Sequence, residues 1–442
     1  MNTKLARSVL NSATIACVVA GCTWTRFDDI TDNPPVERFD APNGSSGAGQ
    51  SLATFPNSAG VTLAVTSQNS LVLYDLGSGV EPSRDALTTQ NCAGDSSCVL
   101  TQQLVGLSAS PMTENMGCVA YGLGTSDPGT ATAAGNALLI CENLKLRTLA
   151  VPSSFSAWLM THEISSKTVV SMATTRRSSP QPLALSVPDA RAVWFYDGVS
   201  PDPIELPALP DGNVAARSLA VLRDDAGYLV MAGSVTPDQL VWLYRVAADR
   251  TASLAGCVAG PAQFGRLLAT GNFDGDALDD LAAADEQSVV VLKGSILTAL
   301  AQIPGDSCAQ LDSLERIGQA QCTQLPDLNG CAGTPYAMSL ASGNLDATGP
   351  DELVLGAPNT SVRGEGAAGA AFIYAASSDA LRIVQGLYVS TASGGNWLGK
   401  SVAIAQLGGI DTVMAGAPGD NAVMTFYCNS LMPAESRSAR CH

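Results

Sequence analysis

Asn272-Phe273-Asp274-Gly275-Asp276-Ala277-Leu278-Asp279-Asp280 places oxygen-bearing side chains at alternate positions of a short loop. That spacing lets a tight turn aim several oxygens at one hard cation. Ca2+ takes about six to eight oxygen ligands, and acceptors at the first, third and fifth positions, a backbone carbonyl at the seventh and a carboxylate at the ninth supply most of them. The expected ligands are the side chains of Asn272, Asp274 and Asp276, the carbonyl of Leu278 and the carboxylate of Asp280. Asp279 is expected to face solvent or to tune the local field. The alternative is an acidic hairpin that binds no ion.

A second loop repeats the pattern with Asn344, Asp346, Thr348, the Pro350 carbonyl and Glu352. It is the weaker of the two, because Thr348 is neutral and Glu352 is longer by one CH2. A third candidate, Gln406-Leu407-Gly408-Gly409-Ile410-Asp411, is too short and too neutral to hold an ion. Any bound calcium would be structural: it would tie a hairpin and offset repulsion among carboxylates.

These loops need strands on either side. The first leads into Leu281-Ala282-Ala283-Ala284 and then Ser288-Val289-Val290-Val291-Leu292, with no flanking helices of the kind a calcium sensor carries. The 442 residues include 42 Gly and 24 Pro, with 46% hydrophobic and 14% charged residues, a balance suited to many short strands joined by turns. A formal net charge of −17 disfavours nucleic acid and anionic lipid and favours cations.

The first 21 residues read as a targeting segment. Lys4 and Arg7 precede the apolar run Val9–Ala20, which is too short to anchor in a bilayer by itself. Val19-Ala20-Gly21-Cys22 resembles a bacterial lipobox, which implies lipidation of Cys22 after cleavage. An ordinary secretory leader with an incidental cysteine is the alternative. Thr23, rather than Asp, at the next position points to the outer membrane of a bacterial envelope. Residues 22–48, rich in Pro, Gly, Asp and Ser, are expected to form a flexible tether.

Setting aside Cys17 and Cys22, ten of the twelve cysteines remain, an even number in an exported chain and hence a candidate disulfide set. Nearest-neighbour pairing gives Cys92–Cys98, Cys118–Cys141, Cys257–Cys308, Cys322–Cys331 and Cys428–Cys441. The first and fourth are the most persuasive, since each closes a short loop containing Gly. A cysteine-based metal site finds no support, with no CxxC in the chain and two His.

A pattern recurs along the chain. Phe264-Gly265 precedes Leu267–Gly271, the first oxygen loop and Asp280–Gly294. Tyr336–Gly343 precedes the second loop, Leu353-Val354-Leu355-Gly356-Ala357-Pro358 and Gly369–Tyr374. Leu398–Ala405 precedes Val413-Met414-Ala415-Gly416-Ala417-Pro418 and Ala422–Tyr427. These copies, at 264–295, 336–377 and 398–428, resemble the FG-GAP repeat, the blade unit of the integrin α-chain N-terminal propeller. Phe264-Gly265 supplies the "FG"; Gly356-Ala357-Pro358 and Gly416-Ala417-Pro418 supply the "GAP". Against that pattern the first loop departs twice: Asn272 replaces an Asp, and Ala277 replaces the Gly that eases the turn.

Fainter copies begin at Ser51, Cys118, Thr168 and Ser218. Generic β-sandwich strands are their alternative reading. Four faint and three clear copies, roughly 50–60 residues each, fall within the usual propeller range. The expected fold is therefore an all-β, seven-bladed β-propeller of four-stranded antiparallel blades spanning 49–428. A disulfide-pinned insertion is expected at 304–335, and a C-terminal tail at 429–442 that Cys428–Cys441 would tether.

Catalysis finds little in the sequence. His162 and His442 are the two histidines, and no P-loop or GxSxG occurs. Trp194, Trp242, Tyr244, Phe372 and Tyr374 sit in strand patterns and read as packing residues rather than a sugar platform. The resemblance implies a non-enzymatic envelope lipoprotein: membrane-held through Cys22, stabilised by calcium, and binding a protein or polysaccharide ligand. The alternatives are a structural or assembly lipoprotein of the envelope and, third, a polysaccharide hydrolase or lyase with carboxylates converging in the central channel.

Overall fold

The computed structural model describes residues 36–40, 47–57, 60–66, 71–75, 119–120, 138–142, 145–149, 171–175 and most of 182–427. The described residues form eight sheets, four of them four-stranded, in which neighbouring strands are antiparallel but for one edge pair and are mostly consecutive in the chain. One joins Leu267–Gly271, Asp280–Ala284, Ser288–Leu292 and Arg316–Gln321 in that order. The next joins Ser339–Gly343, Glu352–Ala357, Ala370–Ser377 and Ala380–Leu387. The middle strands are buried on both faces, so Asp280–Ala284 and Ser288–Leu292 read as unbroken apolar runs instead of alternating ones. The leading strands are half-buried and carry small residues, as in Leu-Leu-Ala-Thr-Gly and Ser-Leu-Ala-Ser-Gly.

The cores lie between neighbouring sheets. Ala282, Val289 and Ile317 meet Leu353, Leu355 and Phe372 across one interface. Val354 and Ile373 meet Ile404, Val413 and Phe426 across the next. Leu222 and Leu243 meet Leu281 and Val290 on the other side. A twisted sheet that buries both faces this way leaves only its short edges open. The leading strands neighbour one another in a closed cycle: Ser51–Asn57, Val119–Ala120, Ser171–Thr174, Ser218–Asp224, Leu267–Gly271, Ser339–Gly343, Val402–Leu407, then back to Ser51–Asn57. This is a β-propeller.

The ring is closed by both ends of the described chain. Val36–Asp40 pairs antiparallel with Ala422–Tyr427, placing Val36 opposite Phe426, and Phe39 is buried. The expectation of a tether through residue 48 is therefore corrected: 36–40 is a strand and Ala48 is buried. The alternating apolar residues of Val-Glu-Arg-Phe-Asp give it one face for the core. The insertion expected at 304–335 is corrected in its first part, while the hairpin at 324–329, spanned by Cys322–Cys331, does lie outside the four-stranded sheets. Cys308–Gln310 adds in parallel to Ala252–Ala259, and Arg316–Gln321 is the outer strand of the 267–321 sheet.

A repeated contact fastens the sheets. Ser218 Oγ donates to the Gly265 carbonyl, Ser339 Oγ to that of Gly399 at 3.0 Å and Ser401 Oγ to that of Gly49 at 2.7 Å. Ser218 and Ser339 start the leading strand of their sheets and Ser401 immediately precedes its own, and each carbonyl belongs to the chain entering the next. Opposite the serine sits a glycine: a Cβ on Gly356 would lie 2.0 Å from the Gly399 oxygen, and one on Gly416 would lie 2.1 Å from the Gly49 oxygen. Gly399 itself has φ +84°, the left-handed region that side chains resist. The glycine that enters one sheet therefore seats against the glycine opposite the serine of the sheet before it. The 267–321 sheet is different. Leu267 stands opposite Ala284, Ala337 replaces the entering glycine, and the buried Arg266 guanidinium takes over by donating to the Ala337 carbonyl.

Two disulfides form among the described residues. Cys257 faces Cys308 with Cα atoms 4.4 Å apart, and Cys322 is bonded to Cys331 at 5.1 Å. Cys22 and the pairs Cys92–Cys98, Cys118–Cys141 and Cys428–Cys441 involve residues outside the described set.

Candidate functional site

The first strands of each sheet alternate in direction, so the turn after the leading strand lies at one end and the turn after the second strand at the other. The first kind carries the candidate ion loops. In 272–280 each short polar side chain first folds the loop upon itself. Asn272 Oδ1 accepts the Gly275 amide at 2.8 Å, Asp274 Oδ1 the Asp276 amide at 3.1 Å, and Asp276 Oδ1 the Leu278 amide at 2.6 Å. Asn272 Nδ2 donates to the Asp276 carbonyl at 2.6 Å. Gly275 takes φ +81° at the sharpest point. Phe273 is fully buried and plugs the loop into the core.

Asp280 anchors the loop from inside. Its Oδ2 accepts the amides of Phe273 at 2.8 Å and Asp274 at 3.2 Å, and its Oδ1 that of Gly294 at 2.8 Å. Burial pushes its carboxyl up to about 7; the nearby Asp274 charge adds to this, and the three amides oppose it. Asp274 and Asp276 are exposed, while Asp279, expected to face solvent or tune the field, is instead buried. The Lys293 ammonium, held mainly by Glu315, also feels Asp274 and Asp280. Among the described residues no three His, Cys, Asp or Glu side chains gather as a metal-holding set.

The second loop copies this plan. Glu352 Oε2 accepts the Leu345 amide at 2.7 Å, as Asp280 accepts that of Phe273, and Leu345 is the buried plug. The extra CH2 of Glu352 does not prevent that bond. Asn344 Nδ2 donates to the Gly349 carbonyl at 3.1 Å, and its Oδ1 is shielded from solvent with no hydrogen-bond donor among the described residues. A buried acceptor without a donor calls for a partner, and a hard cation is a chemically suitable one. Asp346 and Thr348 lie outside the described residues. In the first loop the side-chain oxygens of Asn272, Asp274 and Asp276 at alternate positions are of the kind that would suit calcium.

One participant was not foreseen. Asp351, the eighth residue of the second loop, reaches across to the first: its Oδ2 accepts the Asn272 amide at 2.8 Å, and its own amide donates to the Asn272 carbonyl at 2.6 Å. The signal was present as an acidic residue before each closing carboxylate, Asp279-Asp280 and Asp351-Glu352. Nothing local reveals which neighbour such a residue would touch.

The opposite end gathers the remaining loops. Asp327 receives the Arg363 guanidinium at 2.9 Å and the Tyr388 hydroxyl at 2.9 Å, and Arg363 lies 5.9 Å over the Tyr388 ring. These contacts hold the Asp327 carboxyl below its ordinary range, Arg363 first and Tyr388 second. The Gly395 amide donates to Gly366, that of Trp397 to Ala367, and that of Gly419 to Asn396. Trp397 is 45% exposed and sits at φ +56°, an uncommon backbone state for a bulky side chain.

No protein-family model matches the chain. No curated protein matches it either. Among solved structures it is similar to a chain described as BBS1N in complex with ARL6DN, soaked with mercury, at 12% identity and TM-score 0.44, covering 92% of this chain and 99% of that one. The same complex soaked with lead gives 10% identity and TM-score 0.48, covering 88% and 95%.

Proposed function

We propose that the chain is an exported, lipid-anchored binding protein of the bacterial envelope. In this reading it is a seven-bladed propeller of FG-GAP type that calcium stabilises and that holds a protein or polysaccharide ligand on its Trp397 end. The closed cycle of leading strands supports the blade count, and the glycine contacts between sheets support the repeat type. Calcium would be held by Asn272, Asp274, Asp276, Leu278 and Asp280, and in the second loop by Asn344, Asp346, Thr348, Pro350 and Glu352. When bound it supplies positive charge that offsets the buried carboxylates.

The observation that carries binding over catalysis is the content of the leading strands. They offer mainly Ser, Thr, Ala, Leu, Val and Gly, with Arg223 as their one basic residue. Asp224 is the one carboxylate among their described residues, and it is buried against Arg245 at 3.0 Å. Cleaving a glycosidic bond takes two free carboxyl groups flanking it. Trp397, exposed and stiffly held, has the character of an aromatic anchor.

The test uses protein carrying Cys22→Ser, in calcium, against arrayed envelope polysaccharides and surface proteins. The expected result is saturable binding, weakened about ten-fold by Trp397→Ala, as for a central aromatic anchor. Release of sugar fragments by the wild type would overturn the reading. Acyl chains on Cys22 in the mature N-terminal peptide, read by mass spectrometry, test the anchor.

A further inference from the structure

Between Arg316–Gln321 and Ser339–Gly343 the chain makes a small hairpin that the Cys322–Cys331 disulfide closes. Both of these cysteines are exposed, whereas Cys257 of the other described pair is buried. The hairpin strands, Gln324–Leu325 and Leu328–Asn329, hold two residues each, and a hairpin that short has little stability of its own. Buried Leu328 and a hydrogen bond from the Gly330 amide to the Thr323 carbonyl help to seat it. In the turn, the Asp327 carbonyl accepts the Arg363 amide at 2.8 Å, and its Oδ2 accepts the Arg363 guanidinium and the Tyr388 hydroxyl, each at 2.9 Å. Arg363 begins the segment from which Trp397 hangs. The carbonyls of Gly366, Ala367 and Ala368 accept the amides of Gly395, Trp397 and Leu398, each at 3.1 Å.

We propose that the Cys322–Cys331 disulfide is a thiol-sensitive clasp on the Trp397 end: opening it lets Asp327 release Arg363 and loosens the seat of Trp397. Its functional meaning rests on the binding reading above, which it deepens by naming how the site is regulated. The opening reaction is exchange with a small external dithiol. A thiolate of the dithiol bonds to the sulfur of one exposed cysteine, the S–S bond breaks, and the other cysteine leaves as a thiolate. The second thiol of the reagent then resolves the mixed disulfide. The protein gains two electrons and two protons, and the dithiol ends as a disulfide. With the clasp closed, Asp327 faces Arg363, and the 363–369 segment presents Trp397 in one geometry. A preorganised anchor loses less freedom on binding and so binds more tightly. With the clasp open, that advantage is lost without any unfolding of the sheets.

The experiment titrates the folded full chain with dithiothreitol, alkylates the freed thiols and maps them by mass spectrometry, while hydrogen exchange follows the Trp397 amide. Cys322 and Cys331 are expected to be alkylated at lower reagent concentration than Cys257 and Cys308. In step with this, protection of the Trp397 amide falls about ten-fold, the scale of one hydrogen bond to a charged group. Protection of the Val290 amide, in a buried middle strand, stays constant and shows that the sheets remain folded. C322S/C331S and D327A give the same fall without reductant, and reductant adds nothing further to D327A, because both act through one link. If C322S/C331S folds poorly, the titrations of wild type and D327A decide. Earlier opening of Cys257–Cys308, or Trp397 protection that ignores the opening of Cys322–Cys331, overturns the clasp and leaves the binding reading standing. Array binding that survives W397A overturns the binding reading, while the exchange result still decides the clasp.

Discussion

Gly356→Ala is the sharpest perturbation of the seam between sheets. The added methyl would sit 2.0 Å from the Gly399 carbonyl oxygen and 2.3 Å from Ser339 Oγ. The serine can turn away; the Gly399 backbone cannot, because it is held in the left-handed region at φ +84°. The 339–387 and 402–427 sheets must therefore separate locally. Overpacking a tight interface costs about 1–3 kcal/mol, and the Ser339 hydrogen bond to Gly399, worth about 1 kcal/mol, is strained as well. A loss of about 3 kcal/mol is expected from urea unfolding. Gly364→Ala is the control. It has φ +91° but nothing within 4 Å of the new methyl, so only the backbone penalty of about 1–2 kcal/mol applies. Removing the serine as well does not rescue Gly356→Ala, since the carbonyl collision remains. If Gly356→Ala costs less than Gly364→Ala, or if Ser339→Ala restores the double variant, the seam does not work as argued here.

Calcium at millimolar concentration is expected to raise the melting temperature, with the rise lost in Asp274→Ala/Asp276→Ala; a chelator-insensitive melt would speak against a structural ion. Replacing Cys257 and Cys308 by Ser opens a closure of 51 residues, worth about 4 kcal/mol in the chain-entropy model, whereas the nine-residue closure at Cys322–Cys331 is worth about 2.5 kcal/mol; denaturant midpoints should fall in that order. Asp327 has a folded pKa below its unfolded one, so its contribution is complete above about pH 4 and disappears as pH falls through the folded value. The protection factor of the Arg363 amide, bonded to the Asp327 carbonyl, should fall on acidification in wild type and lose that pH response in Asp327→Asn.

What could be read from sequence was local. Oxygen at alternate positions, a glycine before an apolar run, and an unbroken run such as Ser288–Leu292 each have a meaning fixed within a few residues. The loop hydrogen bonds and buried middle strands follow from them. What escaped depended on distant partners. Val36–Asp40 is five residues of mixed charge whose strand character comes from Ala422–Tyr427. The Cys257–Cys308 pairing was legible from nearest-neighbour order, but the three-residue parallel strand that brings the two together has no periodicity in the sequence. Leu183–Val187 is another buried strand without a recognised repeat mark, and its place is set by Ala192–Tyr196 beside it. Asp279 offers a carboxylate that composition assigns to solvent and packing assigns to the interior.

The pairing of Val36–Asp40 with Ala422–Tyr427 also bears on how the molecule is made and how it fails. The last sheet has no finished outer edge until the final strand has been synthesised and the first has returned to it. Closing so long a span is entropically slow compared with local hairpins. Until then Ala422–Tyr427 presents a row of unpaired amides and carbonyls, a template for another chain. Trimming the first forty residues would leave that edge permanently open, and the shortened protein would associate through it, borrowing the missing strand from a neighbour.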